Sequence, residues 1–156
     1  EYGNRMQKVI TKSAKKTKKI AARLARHIFV VKRKKATVIA LEGDLGSGKT
    51  TFVQGFAEAL GIKERVLSPT FVLMKIYEIK NKKNKLARHL IHIDCYRLDS
   101  SKDLLHLGFR EMLKDKDAVI MIEWADRVNK FLSKNVNRIV FQHRQKTNER
   151  SITFKM

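Results

Sequence analysis

Apolar residues along this chain recur in two rhythms. From Ser13 to Val31 they return every third or fourth position, at Ile20, Leu24, Ile28 and Val31. That spacing predicts a helix with one buried stripe, and Ser13 is placed to cap its N-terminus. TVIALEG (37–43) and AVIMIEW (118–124) are instead short, unbroken and rich in β-branched residues, as in parallel strands covered on both faces. A second helical pattern follows TVIALEG, from about Lys49 to Leu60, with Val53, Phe56 and Leu60 on its buried side and Gly61 placed to end it.

The remaining segments alternate or break. FVLMKIYEIK (71–80) and LARHLIHID (86–94) flank the polar run NKKNK and predict a hairpin. SSKDLLHLGFREML reads as a short helix broken at Gly108, and DRVNKFL as another short helix. The tail, NRIVFQHR then QKTNE then RSITFKM, predicts a closing hairpin, and VIT (9–11) a short strand. Glu1 to Arg5 carry no apolar pattern and read as a tag or extension, with Met6 as the start of a single domain over 6–156. Strands alternating with helices, plus hairpins, predict an α/β fold of three layers, with a mixed, mainly parallel central sheet and hairpin additions.

Composition narrows this picture. The chain has 156 residues and is 43% hydrophobic, enough for one domain with one core. Its longest apolar runs, IFVV and AVIMI, fall far short of the roughly 18 residues of a membrane span. A soluble chain is expected, with no membrane partner. One cysteine, Cys95, cannot close an intramolecular disulfide, and no secretory signal pattern opens the chain, so a reducing, cytoplasmic setting is expected.

Charge is the outlier: 35 Lys and Arg against 15 Asp and Glu give a net +20. No acidic residue lies between Tyr2 and Leu41, whereas Lys15, Lys16, Lys18, Lys19, Arg23 and Arg26 sit on the first predicted helix. Such a segment attracts polyanions, RNA among them, although a solvated face in a lysine-biased chain reads the same way.

GDLGSGKTT (43–51) gathers three of the chain's 7 glycines into nine residues. It matches G-x-x-x-x-G-K-[ST] at Gly43, Gly48, Lys49 and Thr50, after a buried strand and opening a helix, which is where a phosphate-binding P-loop must lie. Glycines let the backbone turn successive N–H groups inward as an anion nest at a helix N-terminus. Lys49 would reach the β- and γ-phosphates, and the Thr50 hydroxyl would take one position in a Mg²⁺ shell. Asp44 and Ser47 fill variable positions and are expected among the nucleotide contacts. No N-K-x-D guanine reader is present, since NKKN (81–84) and NKFL (129–132) lack the aspartate, so ATP and ADP are favoured over GTP.

A P-loop needs an acid at the end of a neighbouring strand. Asp94 closes LIHID and Glu123 closes AVIMIE, and either could be a metal ligand or the group that orients an attacking water. His92 shares a strand face with Asp94, but His89 stands at odd spacing from both, which argues against a zinc chelate. Trp124 follows Glu123 and could stack near the base or merely pack. Thr70, in SPT (68–70), falls where nucleotide-sensing loops lie and could report the γ-phosphate.

Taken together, GDLGSGKTT, SPTF, HIDCYRLD and IEW, in this order and in a chain of this length, closely resemble the TsaE family, the small P-loop ATPases of bacterial tRNA threonylcarbamoyladenosine synthesis. The likeness runs from about Met6 to the final strands and implies a P-loop NTPase-like fold. It further implies that Thr50 and Glu123 hold Mg²⁺, that Gly46 to Thr51 bind phosphates, and that Asp94, Tyr96 and Arg97 complete the surroundings. It implies a use for Thr70 and Trp124 as well. Members of this family hydrolyse ATP weakly alone and act on the TsaB-TsaD pair, which modifies the adenosine beside the tRNA anticodon. The strongly basic composition departs from the pattern and raises direct tRNA contact as an expectation; nothing points to DNA. Two other readings compete: a P-loop kinase for a small metabolite, disfavoured because its candidate lid NKKNK is short and lacks arginine, and a basic RNA-binding module with a vestigial ATP site.

Overall fold

A computed structural model describes residues 6–28, 33–69, 71–80, 87–144 and 148–155. Seven strands form one sheet in the order β1-β7-β6-β2-β5-β4-β3. They are β1 (Met6–Thr11), β2 (Thr37–Gly43), β3 (Met74–Glu78), β4 (His89–Asp94), β5 (Ala118–Glu123), β6 (Asn137–His143) and β7 (Arg150–Lys155). The inner strands β6, β2, β5 and β4 are mutually parallel, while β3 at one edge and β7 and β1 at the other run antiparallel to their neighbours. The predicted hairpins are therefore the antiparallel additions, and the two unbroken apolar segments lie side by side in the middle. The run NKKNK, where a hairpin connection is predicted, Val31 and residues 1–5 lie outside the described residues.

Helices cover both faces. On one side lie α1 (Ala14–Ile28) and α2 (Lys49–Ala59); on the other lie α3 (Ser101–His106), α4 (Phe109–Met112) and a 3-10 helix over Ala125–Phe131. DRVNKFL is thus helical, but in the tighter 3-10 form with a kink at Val128. Ser13 caps α1 as predicted, its Oγ accepting from Lys16 N at 3.1 Å. The buried side of α1 is Thr17, Ala21, Leu24, Ala25 and Ile28. It meets α2 closely because Gly55 has no side chain: a Cβ there would collide with the Cα of Lys18. Phe52 and Phe56 of α2 are fully buried, and Phe52 meets Phe141 edge to face at 5.5 Å. No helix among the described residues is long and apolar enough to cross a membrane.

Strand alternation decides what faces α2. On β5, Val119 and Met121 belong to the α1/α2 core, and Ala118, Ile120 and Ile122 to the opposite one. On β4, Leu90 belongs to the first core and Ile91 and Ile93 to the second. Side chains two apart share a face. His92, Asp94 and Glu123 therefore all lie on the α2 side, at or near the carboxyl edge of parallel strands. This three-layer arrangement is the P-loop NTPase-like fold expected from the sequence.

Candidate functional site

Strand β2 reaches the carboxyl edge of the sheet at Gly43, and α2 departs from it at Lys49. In the intervening loop, Gly46 and Gly48 take φ values of +71° and +104°. A Cβ at either would meet nothing within 4 Å. Glycine is required there by backbone conformation rather than by space, since an L side chain is strained in the left-handed region. Phe52 N donates to Gly48 O at 3.0 Å, so the loop runs directly into the positive end of the helix dipole.

Lys49 is only 4% exposed. Its ammonium donates to Gly43 O at 2.5 Å and Asp44 O at 2.8 Å, has Ser47 Oγ at 3.5 Å, and lies 4.2 Å from the centre of the Trp124 ring. Burial pulls its pKa below the ordinary lysine value, against the opposing pull of Glu123, Asp94, Asp44 and Asp126. Here is a cation that has given up water and holds main-chain oxygens in exchange.

The next residue, Thr50, donates its hydroxyl to Glu123 Oε1 at 2.9 Å, with Oε2 at 3.1 Å. Glu123 is 3% exposed, and its Oε1 also meets Nε2 of His92 at 2.8 Å. Asp94 stands opposite Glu123 in the β4–β5 register. It accepts from Ser68 Oγ at 2.5 Å and from Tyr96 N at 2.8 Å. Trp124 leaves β5 in the left-handed region, φ +58°, a conformation that costs a residue with a Cβ about 1–2 kcal/mol. The turn sets its ring beside Lys49 and 4.9 Å from that of Tyr96.

These groups border a cavity of about 280 Å³. Of the residues singled out from the sequence, Gly46, Ser47, Gly48, Lys49, Thr50 and Thr51 form one wall, and Asp94, Tyr96, Glu123 and Trp124 the other. Asp44 contributes its carbonyl to Lys49, but its exposed side chain is not on the wall. Arg97 is exposed in the turn after β4 and stacks 4.5 Å over the ring of Phe71, away from the cavity. Thr70 lies outside the described residues. The sequence did not mark Leu45, Ser68 and the contact of His92 with Glu123; alternation along HLIHID, which puts His92 on the face of Asp94, was the available signal for the last.

A second cavity, of about 390 Å³, adjoins the first and shares Gly46, Gly48 and Thr51 with it. Its far side is built by Thr11, Lys12 and Thr17 from β1 and the start of α1, and by Asn148 and Arg150 from the tail hairpin. Cys95, next to Asp94, is no nucleophile: burial and the neighbouring carboxylates push its thiol up to about 12. A hydroxyl and a carboxylate in contact at the mouth of a glycine loop supply hard oxygen donors, which suits a small divalent cation that shares its shell with phosphates and water.

Comparison with known proteins places the chain in a family. Residues 11–152 match the family model for "Threonylcarbamoyl adenosine biosynthesis protein TsaE". The chain is 43% identical over 122 residues to the tRNA threonylcarbamoyladenosine biosynthesis protein TsaE of Bacillus subtilis, an alignment that spans 78% of this chain and 70% of that protein. It is 41% identical over 92 residues to the protein of the same name from Treponema pallidum, spanning 59% of this chain and 62% of its relative. The crystal structure of Bacillus subtilis YdiB superposes with a TM-score of 0.74 at 34% identity, covering 99% of this chain and 87% of that one. By fold and by sequence, the chain belongs to the TsaE family.

Proposed function

We propose that this protein is a Mg²⁺-dependent ATPase, weak by itself, that serves tRNA threonylcarbamoyladenosine biosynthesis by acting on a TsaB-TsaD pair. The observation that carries the chemistry is the contact of Thr50 Oγ1 with Glu123 Oε1, 2.9 Å, one residue beyond a buried lysine in a glycine loop. The biological setting is supported by relatives that bear that pathway in their names.

In this reading the Lys49 ammonium exchanges the carbonyls of Gly43 and Asp44 for the β- and γ-phosphate oxygens of ATP. Amides of the 46–51 segment hold the remaining phosphate charge. Thr50 and Glu123 would hold Mg²⁺, whose contribution when bound is to neutralise charge on the phosphates. Asp94, tied to Ser68 and thereby to the segment that leads to Thr70, orients the attacking water. Trp124 and Tyr96 close the side of the pocket and keep bulk water from Lys49. The adjoining cavity between Lys12, Thr17, Asn148 and Arg150 accommodates the nucleoside. The chain meets tRNA through the outward side of α1.

The test is ATP turnover by the purified chain, alone and with purified TsaB-TsaD, together with tRNA modification in the reconstituted system. Stimulation by the pair, and modification that depends on this chain, are expected. Turnover indifferent to the pair, or phosphate transferred to an added metabolite, overturns the reading.

A further inference from the structure

His92 is 0% exposed, yet among the described residues its ring makes a single polar contact, Nε2 to Glu123 Oε1 at 2.8 Å. Its other nitrogen, Nδ1, is buried with no hydrogen-bond partner among the described residues. Burying an imidazole costs more than burying a leucine of similar bulk unless its polar atoms are used. Here one is used, and it is spent on the acid at the mouth of the phosphate loop. Strand geometry makes the contact available: His92 lies one pleat before Asp94 on β4 and reaches diagonally to Glu123 on the parallel neighbour β5.

We infer that His92 is a positioning residue for Glu123, donating to it from Nε2, and that it fixes the carboxylate in the orientation the cation site needs. An ionised carboxylate only accepts, so the proton of this contact belongs to the ring. In the structure Glu123 has two side-chain donors, Thr50 and His92. The inference rests on the functional reading above: a Thr50 hydroxyl that lends a lone pair to the cation keeps its proton and can still donate to Glu123, but a carboxylate that must also meet the cation has to hold one orientation. His92 is the buried donor that holds it from β4. Its effect should consequently be small in the nucleotide-free protein and large in the Mg²⁺-loaded one, which a residue that merely fills space would not produce.

Two measurements test this. Nitrogen NMR of ¹⁵N-histidine-labelled, nucleotide-free protein at neutral pH should show a proton on Nε2 of His92; a bare Nε2 overturns the inference without recourse to any variant. Binding of a fluorescent ADP analogue, titrated with and without Mg²⁺, then separates the variants. His92→Leu should bind the analogue in EDTA within about twofold of wild type but lose about 10- to 100-fold in apparent Mg²⁺ affinity and in turnover. His92→Gln, which retains an N–H donor, should recover most of that loss. If His92→Leu responds to Mg²⁺ like the wild type, or if both variants fall equally, the inference alone is overturned. A wild-type protein indifferent to Mg²⁺ overturns the functional reading and the inference with it.

Discussion

Two regions of this molecule carry charge in opposite ways. At the carboxyl edge of the sheet, Lys49, Asp94 and Glu123 are buried, and each is held by named atoms within hydrogen-bond distance. On the outward side of α1, Lys15, Lys16, Lys19, Arg23 and Arg26 are exposed, fall within an arc of roughly 100° at 3.6 residues per turn, and have no ion pair among the described residues. The apolar side of the same helix is already occupied by α2, which leaves none to insert into a lipid surface. Position matters in the first region to a fraction of an ångström, whereas in the second only the summed field matters. The difference teaches which substitutions should act singly and which only in groups.

The largest effect belongs to Lys49→Ala. Loss of the ammonium should weaken ATP binding at least 100-fold, about 2.7 kcal/mol by titration calorimetry, while the folded state survives a thermal melt. The same residue offers a pH test. Because burial lowers its folded-state pKa, the unfolded chain binds the proton more tightly, and stability should rise as pH climbs from the folded value to the ordinary lysine value. ATP affinity should fall over that same interval, so the two properties move in opposite directions. Lys49→Met should abolish both trends; a melting temperature with the wild-type alkaline dependence in that variant would assign the trend to another group.

Gly48→Ala comes next. The site is open, with nothing within 4 Å of an added Cβ, but its φ is +104°, so the substitution should cost about 1–2 kcal/mol in denaturant unfolding through backbone strain alone. Nucleotide affinity should fall with it, because the loop relaxes away from the arrangement that aims its amides. A variant of unchanged stability and affinity would show that the left-handed turn is not what holds the loop.

Sharpening the comparison from its other side requires a group of changes. Reversal of Lys15, Lys19 and Arg23 to Glu should lower tRNA affinity at low salt by about tenfold or more and flatten the dependence of log K on log salt by about 2, since each phosphate contact contributes about 0.7–0.9 to that slope. ATP turnover without partners should not change. Wild-type affinity for tRNA that ignored added salt would remove α1 as a contact surface.

How far the sequence foretold these regions follows from what each depends on. AVIMIE and TVIALEG announce buried parallel strands because an unbroken apolar run suits only a strand covered on both faces, and they do lie side by side. The glycine loop between β2 and α2 was legible because its glycines, lysine and threonine are contiguous. Strand order at the outer edge was not, because β1 finds its partner in β7 from the far end of the chain, and no local pattern encodes that pairing. Arg97 shows the limit for side chains. The family resemblance implied a place for it with Asp94 and Tyr96 around the nucleotide, but the turn after β4 and the ring of Phe71 draw it elsewhere. His92 shows the converse: its spacing from Asp94 fixes its face, but its partner sits on another strand.

The smallest predicted difference lies within α1 itself and isolates what geometry adds to a surface charge. Lys18 is at the border of the buried side and reaches Glu58 of α2 at 2.7 Å, the lysine side chain about one-third exposed and the glutamate more so. Lys19, one residue on, points outward and has no such partner among the described residues. An exposed pair of this kind is worth about 0.2–1 kcal/mol, reduced by salt. Lys18→Ala should lower unfolding stability by that amount at low ionic strength and by less in high salt. Lys19→Ala, of equal charge change and similar helix propensity, should stay within about 0.5 kcal/mol of wild type in either. If the two variants melt together at low salt, the bridge to Glu58 contributes nothing and the field of α1 is as unspecific at its border as on its crest. If Lys18→Ala alone shows the salt-sensitive loss, a single hydrogen-bonded contact is enough to separate one lysine from its neighbours, the same property that the carboxyl edge of the sheet displays on a larger scale.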